Sequence, residues 1–464
     1  MSMRFSVFFL CLAVASAAAS PSFTTSGLRC DGSNFGESHS PSTNFAIDNP
    51  RPTFTWANEH TRRGERQTAF ELVLREHRRG GGSAMAFEQM PLIWSSGRVM
   101  SSEPSLTYPS HAPALRSGVS YAWTVRYYDS TGTPSSFAAA GPARLHVALL
   151  TDDEWAGVAW LGDDKVNLFR ASFTVAEPLA QVEKAVAYVI GLGYSYVRFN
   201  GAPAGGPKGG PSVPNARALT TSPWTNNFHR NSYSTIDLTD QLLQGENVVG
   251  VGLGHGWRAR GSFPRHDKDA DANDPVDKVL RMQVRLTFTN GTSVVVSRTG
   301  DSWAAVAGPV TADSVYDGET YDARKEQPGW DAPGFKPATA WAPAPINAQP
   351  PQGVMSAWAA PPVVVDRVVQ PVGVTNPKPG IYVIDFGVNQ AGVCRLKNVK
   401  LAAGQSIVLR HGEVMQHEHL PDLKTVDPTM IYTGNLRSAK ATDTYVARGD
   451  PAGETYMPTF TYHG

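Results

Sequence analysis

"EKAVAYVIGLGYSYVRFNG", residues 183–201, decides how the rest of the chain is read. Alanine, valine, isoleucine and tyrosine crowd together with glycines between them, and almost no 3.6-residue period is present. Such a stretch reads as strand followed by strand. The pattern repeats in "YSTIDLTDQLLQGENVVGVGLGHGW" (233–257) and "KVLRMQVRLTFTNGTSVVVS" (278–297). Together these runs predict an all-β sandwich over residues 151–345. In the second run Asn290-Gly291 suits a type I′ hairpin turn, and Asn290-Gly291-Thr292 is an N-glycosylation sequon at an exposed tip. The stretch "GAPAGGPKGGPSVPNA" (201–216) reads as a flexible surface insertion.

Flanking runs extend the pattern both ways. Residues 22–150 contain short β-rich segments bounded by Gly, Pro, Ser or Asn, with Trp56 and Trp123 each inside one. This spacing predicts an immunoglobulin-like or fibronectin type III-like sandwich with both tryptophans in its core. After a Pro-rich linker, "PATAWAPAPINAQPPQG" (337–353), a third sandwich is expected over 355–464, with "ETYMPTFTYHG" (454–464) as its last strand. The fold class is therefore all-β, as tandem β-sandwiches.

Composition agrees. The 464 residues are 41% hydrophobic and 18% charged, with 43 glycines and 35 prolines, a turn-rich globular mixture. Lysine plus arginine equals aspartate plus glutamate at 41 each, so no long-range field recruits nucleic acid or an anionic membrane. Residues 1–19 carry Arg4, an apolar run and small residues at Ala17 and Ala19, the form of a cleaved signal peptide. No later stretch approaches the ~18 apolar residues of a membrane span, so a soluble, secreted protein is expected. Cleavage removes Cys11, and Cys30 and Cys394, far apart in separate regions, are expected to be free.

Three constellations carry possible chemistry. "VVGVGLGHGW" (248–257) places Gly250, Gly252, Gly254 and Gly256 after an apolar strand, but Gly261 and Pro264 break the helix that a dinucleotide motif must open. Glycines at a bend or bulge account for it better, and no cofactor is expected. "RHGEVMQHEH" (410–419) gathers His411, Glu413, His417, Glu418 and His419 without the spacing of a zinc helix. A solvated loop is the expectation there, with Glu413 holding a turn or an interdomain contact, and no metal. "YDGETYDAR" (316–324) is the densest polar and aromatic cluster. Glu319, Tyr321, Asp322 and Arg324 either grip sugar hydroxyls or form a salt-bridged seam to the next domain.

The order of these motifs resembles the bacterial α-L-rhamnosidases, inverting glycoside hydrolases. The resemblance runs from "NPRPTFTW", "RQTAFELVL" and "LIWSSGRV" through "YVIGLGYSYVRFNG", "SPWTNNFHRN" and "YDGETYDARKEQPGWDAPGF". It continues in "DFGVNQAGVCRLKNVKLAAGQSIVLRHGEVM", "NLRSAKATDTYVARGD" and "YMPTFTYHG". It implies a jelly-roll-like N-terminal domain after the fibronectin-like one, then a concanavalin-like sandwich. The 201–216 insertion and Asn227 depart from the family's local pattern. In the family the acid and base sit on an (α/α)6 barrel that begins after the "FTYHG" strand, so the resemblance carries over no catalytic residue. The expectation is an N-terminal portion, truncated before that barrel and inactive alone, of an enzyme that hydrolyses terminal α-L-rhamnose. Its partners would be rhamnose-containing glycans or glycosides, and Phe460 and Tyr462 would form an uncovered aromatic strand edge. The alternative is a stand-alone, lectin-like protein binding sugar through Trp224, Trp257, Glu319, Tyr321, Asp322 and Arg324.

Overall fold

The computed structural model describes residues 23–32, 46–80, 83–138, 141–206, 225–256, 278–358, 363, 365–420 and 425–464. The leader-like residues 1–19, most of the 201–216 insertion, Trp224 and Trp257 lie outside them. Among the described residues the only helices are single 3-10 turns, and the rest is strand and loop. No described helix is long and apolar enough to cross a membrane.

The first region packs a three-stranded sheet (Thr24–Cys30, Thr53–Glu59, Ser105–Thr107) against a larger sheet centred on Ser120–Tyr128 and Ala69–Glu76. Trp56 and Trp123 fill the space between with Phe54, Phe70 and Leu72, as their strand positions predict. Cys30 is buried there, and both Cys30 and Cys394 are free thiols.

In the second region the opening stretch forms two strands in different sheets. Val182–Leu192 lies inside a five-stranded sheet and Tyr194–Phe199 inside a six-stranded one. Gly193 joins them at φ +106, and any Cβ there would overlap the carbonyl of Gly254. Only glycine lets the chain change sheets within one residue. Val182–Leu192 is near-continuously apolar because both its faces are buried. Ala185, Ala187 and Val189 enter the core between the two sheets, while Val186, Tyr188 and Ile190 pack with Trp155, Trp160 and Tyr233.

The hairpin at Asn290 corrects one expectation. Gly291 has φ +85 but Asn290 stays in the negative region, Gly291 N–H donates to Phe288 C=O, and Phe288 N–H donates to Thr292 C=O. This is a type I turn closed by a left-handed glycine, a three-residue loop. The Asn290 Oδ1 atom accepts from Thr292 N–H at 2.9 Å, which holds Asn290 out of the left-handed conformation that a type I′ turn demands.

Gly250, Gly252 and Gly254 correct another. Strand Gly245–Gly254 pairs with Leu168–Val175 and Tyr194–Phe199 with no shift of register, so there is neither bend nor bulge. Val249, Val251 and Leu253 point into the core, and the glycines leave the opposite face bare backbone. Across that face lie Trp330 on Gly250, Tyr196 on Gly252 and Phe460 on Gly254. The period-two glycines are a track for aromatic rings.

The largest sheet of the third region crosses the expected boundary, joining Val310–Ser314 and Gly318–Asp322, which precede residue 345, to Thr442–Val446 and Ser406–Arg410. Two of these strands come from "YDGETYDAR" and the residues just before it. The last strand is short, Glu454–Tyr456, paired with Leu396–Val399. Beyond it the chain leaves the ladder, because Pro458 has no N–H and those of Thr459 and Phe460 are taken by the Glu319 carboxylate. Phe460 is 2% exposed under this arrangement and Tyr462 39%, so Phe460 is a buried anchor and not an open aromatic edge.

Adding a methyl group to the track forces rings off the sheet. Gly252→Ala and Gly254→Ala are each expected to lower unfolding stability by about 1–3 kcal/mol in chemical denaturation. Gly392→Ala, where a Cβ meets open space, should stay within about 0.5 kcal/mol of the parent. Equal effects at all three positions would contradict the packing described.

Candidate functional site: the carboxylate seam and the cleft above it

Glu319 is 1% exposed, at the centre of the join between the second and third regions. Its Oε2 accepts from the backbone N–H groups of Thr459 (2.9 Å) and Phe460 (3.0 Å), and Tyr456 O–H donates to Oε1 at 3.3 Å. Its own N–H donates to Asp443 Oδ1 at 2.9 Å. Burial drives the Glu319 pKa up to about 8 despite the two N–H donors, with the nearby Asp313 and Asp443 charges adding to the rise.

Asp443 is fully buried and takes one imidazole on each oxygen. His411 Nε2 lies 3.1 Å from Oδ2 and His463 Nε2 3.1 Å from Oδ1, their rings stacked at 4.1 Å. Burial alone would raise Asp443, but hydrogen bonds from both histidines bring it down to about 2. Burial would lower His411, yet its hydrogen bonds with Asp443 and Cys394 raise it. The His411, Asp443 and His463 ligand atoms lie within 4.8 Å of one another, a spacing that metal ions also use. Here both Asp443 oxygens are occupied by protein donors, so the group acts as a hydrogen-bonded latch. A third carboxylate, Glu454, accepts from Tyr445 O–H and the N–H groups of Arg448, Gly449 and Asp450, which outweigh burial and bring it to about 2.

The sequence candidates therefore separate. Glu319 is in the seam. Tyr321 stacks with Tyr445 and donates to Glu326 Oε1 at 2.7 Å. Asp322, itself buried, holds the exposed Arg324 in a two-pronged pair, 2.8 and 2.9 Å. His417, Glu418 and His419 remain on an exposed loop, away from His411, and Glu413 accepts from Asn435 Nδ2 to hold the neighbouring turn. Asn290 sits at its exposed hairpin tip. Sequence reasoning missed Asp443 and Glu454, whose only signal was being polar residues at inward positions of short strands, and His463, which lies beyond the last strand.

Above the seam, over the glycine track, lies a cleft of about 560 Å³. Tyr196, Tyr321, Trp330 and Phe460 supply its aromatic walls, and Arg198, Asp331 and Glu326 its charged groups. Arg198 Nε is bonded to Asp331, and Arg198 also donates to Gly201 C=O at 2.7 Å. Arg170 Nε donates to Trp330 C=O at 2.8 Å, so two arginines of the sheet pin the Trp330-Asp331 loop.

This architecture has known counterparts. Three family descriptions match in order: the Rha78A-like N-terminal immunoglobulin domain over residues 37–151, the α-L-rhamnosidase N-terminal domain over 180–367, and the bacterial α-L-rhamnosidase concanavalin-like domain over 375–464. An α-L-rhamnosidase of Streptomyces avermitilis is 32% identical over 348 residues, which are 74% of this chain and 29% of that protein. One from Formosa agariphila is 24% identical over 449 residues, 90% of this chain and 44% of that protein. The solved α-L-rhamnosidase from Dictyoglumus thermophilum superposes with a TM-score of 0.76 at 25% identity, covering 96% of this chain and 46% of that one. The S. avermitilis enzyme complexed with L-rhamnose, at 22% identity and TM-score 0.76, shares the fold. The chain belongs to the α-L-rhamnosidase family. It spans 29–44% of the length of the curated relatives it matches.

The seam predicts a pH signature. Because the folded pKa of Glu319 lies above its unfolded value of 4.5, its contribution is complete below that value and is lost as pH rises through about 8. Stability should fall across this window by up to about 1.4 kcal/mol per pH unit. Glu319→Gln should flatten that slope in denaturation series at pH 5, 6.5 and 8, while the Asp443 and His411 contributions persist in both proteins. An unchanged slope would contradict a buried, protonated Glu319.

Proposed function

We propose that this chain is the non-catalytic, all-β portion of an α-L-rhamnosidase, which supports an enzyme that removes terminal α-L-rhamnose from glycosides with inversion. The observation that carries this reading is the state of its buried carboxylates. Inverting hydrolysis needs two carboxyl groups about 6.5–9.5 Å apart across an open sugar site, one to protonate the leaving oxygen and one to activate water. Glu319, Asp443 and Glu454 are instead buried and saturated by donors of the chain itself. None of the three lines the cleft, and the two carboxylates that do, Asp331 and Glu326, are paired with Arg198 and Arg448. The share of the relatives' length covered by the match supports the same reading.

So does an apolar face on the third region. In the hairpin Gly373–Lys378/Ile381–Asp385, Val374 and Ile384 are paired across the strands, and both are exposed together with Val372 and Tyr382. A face of this kind suits a surface that packs on another domain.

An aryl α-L-rhamnoside assay on the purified 464-residue chain is expected to show no release of aglycone above the blank. Turnover that survives repurification and saturates with substrate would overturn the proposal.

A further inference from the structure

We infer that Asn290 is a site of N-linked glycosylation, and that the glycan guards the open edge of the strand beside it. Asn290-Gly291-Thr292 is the only Asn-X-Ser/Thr triplet in the 464 residues, so one glycan per chain is expected. The inference is independent of the function proposed above. It requires entry into a secretory lumen, for which residues 1–19 have the form of a cleaved leader.

The geometry makes the Asn290 amide available. Thr289 through Val295 are exposed without a break, and a Cβ built on Gly291 meets open space, so the hairpin tip has room for a bulky group. Asn290 Oδ1 accepts from Thr292 N–H at 2.9 Å and from the Thr292 hydroxyl at 2.7 Å. The side chain is thus fixed through its oxygen, and among the described residues no acceptor holds Nδ2. Two donors on the oxygen also draw electron density from the amide nitrogen, which makes its protons easier to lose. In the transfer, Nδ2 forms a bond to C1 of the first sugar of a lipid diphosphate-linked oligosaccharide. The C1–O bond to the diphosphate breaks, the lipid diphosphate leaves with the bonding pair, and Nδ2 gives up one proton.

The neighbouring strand gives the glycan a role. Ser293–Arg298 is the terminal strand of the five-stranded sheet, with Val279–Phe288 on one side and, among the described residues, no strand on the other. Val294 and Val295 are 45% and 38% exposed on it. Its only charged residue, Arg298, is at the far end. An edge that carries β-branched residues and no charge near its tip is a template for pairing with a second chain. At ~3.3 Å per residue both valines lie no more than about 17 Å from Asn290, within the sweep of a glycan anchored there.

The test is expression of the intact chain in a eukaryotic secretory host, with peptide mass spectrometry of Asn290 on all of the chain recovered from medium and cells. A single glycan at Asn290 is expected, removed by peptide-N-glycosidase, retained in Thr292→Ser and lost in Thr292→Ala and Asn290→Gln. These readouts hold whether or not a variant folds. Sedimentation then tests the guarding role. The enzymatically deglycosylated chain is expected to self-associate at least about tenfold more tightly than the glycosylated one. Val294→Lys, which places a charge on the edge, should return the deglycosylated chain to the behaviour of the glycosylated one. An Asn290 peptide that is unmodified in every fraction overturns the site. Equal association with and without the glycan, or association that survives Val294→Lys, overturns the guarding role.

Discussion

The Glu319 carboxylate is the interaction on which the joined architecture depends. It comes from the strand that completes the third region's main sheet, and it grips the two backbone N–H groups that follow Pro458. Those N–H groups would otherwise be buried without acceptors, at a cost of about 1–3 kcal/mol each. By holding them, Glu319 turns the chain out of the ladder and drives Phe460 onto Gly254. Burial of that ring contributes roughly 1.5–3 kcal/mol, and it requires the bare strip that the period-two glycines provide. One carboxylate and three absent side chains thus settle how the second and third regions meet.

The same economy explains the chemistry of the seam. Three carboxylates are buried there, and each is satisfied from within the chain. Their environments push them apart: Glu319 is raised by burial, with the nearby Asp313 and Asp443 charges adding, whereas the hydrogen bonds that Asp443 and Glu454 accept outweigh burial and hold them low. Divergent carboxyl environments commonly mark acid and base roles. Here the lone pairs that would do such work face inward, so the divergence serves cohesion. Open polar chemistry is displaced upward, to the cleft over the track.

The strands and the family were legible in the sequence because their signals are local. Trp56 and Trp123 sat in strand-like runs, and the apolar continuity of residues 182–192 reflects burial on both faces. What the sequence left open was set by partners far along the chain. Nothing in "VVGVGLGHGW" discloses that Trp330 and Phe460 will lie on its glycines, so a bulge was the natural local reading. "YDGETYDAR" shows the right residue types but not their directions. Alternation sends Glu319 into the seam, while Asp322, buried on its own account, is used up in holding the exposed Arg324. The turn at Asn290 followed the Asn-Gly rule only in part, because the Asx contact with Thr292 competes with the dihedral angle that rule assumes.

Native-state hydrogen exchange at the Thr459 and Phe460 amides tests the central claim most directly. If Glu319 joins the regions into one cooperative structure, both amides should exchange as slowly as those of Gly245–Gly254, with the same opening free energy. Rapid exchange at both, of the kind a frayed terminus shows while the glycine strand stays protected, would contradict the account.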